Sequence, residues 1–172
     1  DKNRFLTILN WLRYPLSKKM SQLEVEASTP QTLQEMREFA AKLQFNPPSE
    51  ERIALVQRLD SAVGVTQLTI EIITISNLQM YKAFETVIPE AQRIKEEKWE
   101  EKFQSNLKAQ LDQPMKQNTL ISFLYTYRSV SDEELEEYIN FWESGDGRWF
   151  TRILNQGLLD AMAKIGREIG NR

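Results

Sequence analysis

S-D-E-E-L-E-E-Y-I-N-F-W-E-S-G-D-G-R-W-F-T-R-I-L-N-Q-G-L-L-D-A-M-A-K-I-G-R-E-I, Ser131 to Ile169, decides the fold. Ser131 is placed to cap a helix with its hydroxyl, and Glu134, three residues on, reaches back to the Ser131 amide in a capping box. Val130 and Leu135 flank that turn as a hydrophobic staple. Leu135, Tyr138, Ile139 and Trp142 recur at three-and-four spacing, which is one buried stripe of a helix ending at Glu143. Ser144 is then the next cap, and Gly145 and Gly147 let the backbone turn tightly and approach a neighbour where a Cβ would obstruct it. Asp146 suits the positive end of the new helix dipole. Glu143 and Arg148 fall at the two staple positions, so an ion pair is expected to take the place of the apolar clasp there. Phe150, Ile153, Leu154, Gly157, Leu158, Ala161 and Ile165 carry an apolar face onward, with Gly157 the expected point of close helix contact.

The same pattern extends towards the N-terminus. Phe5, Ile8, Leu9 and Leu12 form one amphipathic helix, broken at Tyr14-Pro15 because proline has no amide to donate, and Leu16, Met20, Leu23 and Ala27 resume the stripe. Ser28-Thr29-Pro30 opens a helix carrying Leu33, Met36, Ala40 and Leu43, which Asn46-Pro47-Pro48 ends. Ser49 caps the next, with Ile53, Val56, Leu59 and Val63 on its face and Gly64 interrupting it. Thr66 to Ile75 is rich in β-branched residues. Helix is still expected, because the run continues into helical spacing at Asn77 to Phe84 and has no partner strand. Pro89 opens a charged helix over 90–111, with Trp99, Phe103, Leu107 and Leu111 inward, and Pro114 opens another with Leu120, Ile121, Leu124 and Tyr127 inward.

The fold class read from this is all-α: a single domain, residues 1–172, built as a bundle of about eight amphipathic helices with sharp capped corners and no sheet. Shifting the chain by 130 positions lays Asn10 on Asn140 and matches the helix-corner-helix of 5–27 with that of 135–157, a weak pseudo-repeat.

The 172 residues carry a net charge of −3 with mixed signs, so no basic stripe exists to track a nucleic acid. Cysteine and histidine are both absent, which removes thiolate nucleophiles, Ser/His/Asp triads and soft-metal sites; no metal or cofactor is expected. No apolar run reaches the ~20 residues of a membrane span. The start at Asp1, without an apolar leader, is read as that of a processed form. Catalysis would rest on carboxylates. Glu96, Glu97, Glu100 and Glu101 offer pairs, but on one solvated helix nothing separates their pKa values into acid and base. Glu71, inside an apolar run, is expected at a helix edge or paired with an arginine. The binding candidates are Glu143, Ser144, Gly147, Arg148 and Trp149, a loop at a helix N-terminus, with Trp149 off the apolar stripe and expected to lie exposed.

The run S-D-E-E-L-x-x-Y-I-x-F-W-E-S-G-D-G-R-W-F resembles the C-terminal signature of an uncharacterised bacterial family, the domain of unknown function two thousand and fifty-nine. Its members end similarly in S-x-E-E-L, an aromatic pair, E-S-P-x-G and a basic residue. Leu12 to Lys19 is similar to an R-S-P-L-G-[RK] element of some relatives. Gly145 stands where the family has proline, and Tyr14 and Ser17 where it has serine and glycine. The resemblance implies an all-helical protein exported to the periplasm or secreted, and carries over no catalytic residue. Together these readings favour a non-enzymatic module binding another protein or an envelope component. A carrier of an acyl or other apolar ligand, in a cavity lined by Ile72, Leu78, Tyr81, Phe84 or Tyr125, is the alternative, and a carboxylate-dependent glycan hydrolase the third.

Overall fold

The computed structural model describes residues 2–85, 87–90 and 98–170, with side chains up to Ile165. The protein is all-α, with eight helices and no strand among the described residues. They are α1 (Lys2–Arg13), α2 (Pro15–Ala27), α3 (Thr32–Leu43), α4 (Glu50–Val63), α5 (Val65–Glu85), α6 (Trp99–Thr126), α7 (Asp132–Glu143) and α8 (Gly145–Gly170). They gather into two compact units, Asp1–Gly64 with Gln117–Arg152, and Val65–Lys116 with Ile153–Arg172.

The core of the first unit is the α7 stripe. Leu135 and Ile139 are completely buried among Met20, Val56, Leu59, Leu124 and Tyr127, with α4 lying along α7. The start of α7 is fixed three ways. The Glu134 amide donates to Ser131 Oγ (3.2 Å) and the Ser131 amide donates to Glu134 Oε2 (3.3 Å), closing the capping box. Val130 and Leu135 are both buried beneath it. Arg52 of α4 holds the same turn from outside, one guanidinium nitrogen on Asp132 (2.6 Å) and another on the Tyr127 carbonyl (2.6 Å). The phenols of Tyr127 and Tyr138 both donate to Glu24 Oε1 of α2, at 2.7 and 2.8 Å. Burial first, and the Glu24 charge next, push both phenols above their ordinary pKa of 10.0.

Residues 2–13 and 132–143 are both helical, with the breaks at Tyr14 and Ser144 in extended backbone and new helices from Pro15 and Gly145. These boundaries coincide under the 130-position shift, and Trp11 stacks at 4.2 Å and 11° on Phe141, its counterpart in that shift.

In the second unit, Thr66 to Ile75 lies within α5. Its buried row is Thr66, Ile70, Thr74 and Leu78, an i,i+4 stripe, and the Thr74 hydroxyl is satisfied by donating to the Ile70 carbonyl (2.7 Å). Gly64, at φ 70°, ends α4 in the left-handed conformation, so that α5 starts at the very next residue. Glu71 pairs with Lys108 (2.7 Å) and accepts from Gln67 (2.9 Å), so its cationic partner is a lysine rather than an arginine.

Three expectations are corrected. Pro30 does not open α3; Ser28 to Gln31 form a turn, and the helix begins at Thr32, whose single hydroxyl proton is shared between the Ala27 (2.7 Å) and Thr29 (2.6 Å) carbonyls. Pro114 does not start a helix but lies inside the continuous α6. The missing amide costs about 3 kcal/mol in a helix interior, and the burial of Thr119, Leu124, Tyr125 and Thr126 further along the same helix offsets it. The apolar row of α8 is not buried: Ile153, Leu154, Leu158 and Ile165 are 44–52% exposed, and nothing described comes within 4 Å of a Cβ placed on Gly157. Of the charged helix expected over 90–111, residues 91–97 lie outside the described residues, and α6 is described from Trp99.

Because Leu135 has no exposed surface, Leu135→Ala is expected to destabilise the protein by about 2–5 kcal/mol in urea unfolding. A loss below about 1 kcal/mol would show that α7 is not the centre of the core.

Candidate functional site

At the corner between α7 and α8, the Gly147 amide donates to Ser144 Oγ (3.0 Å) and the Arg148 amide to the Ser144 carbonyl (3.0 Å), so Ser144 caps α8. Of the two glycines expected to allow a close approach, Gly145 has open space around it, with nothing described within 4 Å of a Cβ placed there, while Gly147 is tightly confined. A Cβ there would lie 2.2 Å from the Phe141 carbonyl oxygen and 2.7 Å from Trp142 Cα, both backbone atoms that cannot swing aside. The last turn of α7 and the first of α8 are thus pressed together, and only glycine fits.

The ion pair expected between Glu143 and Arg148 is replaced by two separate interactions. Arg148 folds back and donates to the Glu143 backbone carbonyl. The Glu143 carboxylate turns instead to Arg58 of α4, accepting at 2.9 and 3.3 Å, while Arg58 also reaches Glu136 at 3.4 Å. Sequence spacing could not find Arg58, because its contact with Glu143 depends on α4 lying along α7. The Arg58 hydrogen bonds hold the Glu143 carboxyl below its ordinary 4.5, helped by the charges of Arg58 and Arg148 and opposed by partial burial. Trp149 is half-buried rather than exposed, and Arg148 is exposed.

Of the five candidates, then, Glu143, Ser144 and Gly147 are committed to the geometry of the corner. Next to it runs an aromatic cluster in which Tyr138 touches Trp11 (6.2 Å) and Trp142 (5.8 Å), and Trp142 stacks on Phe150 (6.3 Å, 12°). These tryptophans are packing groups.

In the second unit an open groove of about 310 Å³ runs between α5 and α8, lined by Ile75, Met80, Ala83, Phe84, Met162 and Ile165, with Ser76 and Gln79 at its edge. Met80 and Phe84 are more than half exposed. The signal was present in the sequence as two apolar helix faces, but periodicity cannot tell a face that is covered from one that is left open. Of the residues expected to line an elongated apolar cavity, Phe84 lines this groove, Ile72 and Tyr81 are half-buried, and Leu78 and Tyr125 are buried in packing. Of the four clustered carboxylates, Glu96 and Glu97 lie outside the described residues, and Glu100 is paired with Lys82 (2.8 Å).

Comparison with protein-family models, curated proteins and solved structures found no match.

Ser144→Ala is expected to cost about 0.5–2 kcal/mol, and Gly147→Val more than that, since backbone must move; equal losses in chemical denaturation would mean that the close approach is not rigid. Folding lowers the Glu143 pKa, so this carboxylate stabilises the fold above 4.5 and the contribution is lost as pH falls through the folded-state value. Glu143→Gln should therefore melt below wild type at neutral pH, the two converging in acid. A difference that persists unchanged in acid would exclude the Arg58 pair as its cause.

Proposed function

We propose that this chain is a non-enzymatic binding module that takes an amphipathic helix of another protein along the exposed face of α8. One observation carries the reading: Leu154, Leu158, Ala161 and Ile165 repeat at the spacing of a buried helical stripe, yet all are exposed. Exposed apolar residues scattered singly are ordinary, but a row with helical period marks a surface meant to be covered. Gly157 and Ala161 lie between the larger side chains and leave room for a second helix axis to come close. The groove of Met80, Phe84 and Met162 continues from Ile165 and offers flexible, polarisable side chains that adapt to an incoming apolar residue. This is helix-in-groove recognition. The resemblance of the Ser131–Phe150 signature to a family of exported bacterial proteins supports a partner in the periplasm or cell envelope.

The test is a photo-crosslinking amino acid in place of Leu158, in cells making the full chain. Crosslinks are expected to a helical segment of one other protein, and Ile165→Glu should abolish them without shifting the melting temperature by more than a few degrees. Crosslinks only within the chain, only to a second copy or only to lipid would overturn the proposal.

A further inference from the structure

The first unit contains an open cleft of about 740 Å³, between the turn that follows α2, the outer face of α3 and the start of the unit's part of α6. Its floor is apolar, formed by Leu33 and Met36 of α3 and Ile121 of α6, with Leu33 58% exposed. Polar side chains line the same cleft. Arg37 comes from α3 one residue after Met36, and Asn118 and Ser122 come from α6, one helical turn apart. None of these three side chains has a hydrogen-bond or ion-pair partner among the described residues, whereas Arg52 and Arg58 of the same unit are each held by carboxylates. Arg37 is also the only charged side chain among the described residues lining the cleft. The site thus has one uncompensated positive charge, two neutral donors and an apolar floor, within the size range of small-molecule sites.

We infer that this cleft binds a small amphiphilic carboxylate, an organic anion whose apolar body lies on Leu33, Met36 and Ile121. The guanidinium fork matches the two oxygens of a carboxylate in a bidentate pair, and the Asn118 amide and Ser122 hydroxyl can donate to the same oxygens. A cationic ligand meets only Arg37 and is repelled. A neutral alcohol of equal chain length gains the floor but not the charge-assisted hydrogen bonds. This surface belongs to a different unit from the α8 face, and the inference stands or falls independently of the protein partner proposed there.

The experiment is a titration of the full chain with sodium dodecanoate below its micelle concentration, followed by backbone amide NMR. Dodecanol and dodecyltrimethylammonium serve as the neutral and cationic counterparts. Saturable shifts are expected at Leu33 to Ala40 and Asn118 to Ser122. Arg37 is exposed, so Arg37→Gln should fold as wild type, and it should weaken dodecanoate binding by at least about tenfold while leaving dodecanol binding unchanged. Ser122→Trp, which fills the cleft, should abolish both. The inference is overturned if dodecanoate gives no saturable shifts there, if Arg37→Gln binds it as wild type does, or if dodecyltrimethylammonium binds equally well.

Discussion

The burial of one short helix face holds the first unit together. A helix of the length of α7 is marginal in water by itself, because the nucleation cost is recovered only over several turns. Its stability must come from what covers Leu135, Tyr138 and Ile139, and those covers come from three other helices, Met20 of α2, Val56 and Leu59 of α4 and Leu124 of α6, with Trp142 of α7 itself packed against them. The polar contacts around the start of α7 serve the same end. Ser131 and Glu134 satisfy amides that the helix leaves unpaired, Arg52 ties the preceding turn to α4, and Lys19 of α2 meets Glu134 at 2.7 Å. The exposed members of this set contribute little individually. Their effect is on register, since each fixes where along its neighbour α7 must lie.

How much of this could be read in advance depended on whether the signal was local. The capping box, the staple, the break at Tyr14, the cap at Ser144 and the close approach at Gly147 all arise within one or two turns of sequence, and all are present. The helical fate of Thr66 to Ile75 was legible for a subtler reason: β-branched residues disfavour helix by only a few tenths of a kcal/mol each, and no strand was available to claim them. Prolines were less informative. Pro15 opens a helix, Pro30 lies in a turn before one and Pro114 is inside one, and the choice among these is made by packing several residues away. The partner of Glu143 was illegible because it lies on α4, and the exposure of α8 because a sequence states which face is apolar without stating what meets it.

The same limit governs the candidate site. The corner looked functional because it concentrates glycine, a cap, charge and tryptophan in seven residues. Each of those features turns out to have a mechanical use: the cap ends one helix and begins another, the glycine lets them touch, and the carboxylate anchors the end of α7 to α4. The groove and the cleft have no such compact signature. They are made of ordinary residues brought together from separate helices, two in one case and a helix, a turn and a second helix in the other.

The first unit is discontinuous in the chain, and this imposes an order on its making. A ribosome delivers Ile8, Met20, Val56 and Leu59 long before it delivers Leu135 and Ile139, and the whole of α5 emerges in between. Until then α4 has no α7 to lie against, and its apolar face is open to whatever is nearby. Closing so long an intervening segment is entropically slow. The apolar faces of the early helices therefore stay exposed through most of synthesis, and the arrival of Ser131 to Glu143 is the event that covers them.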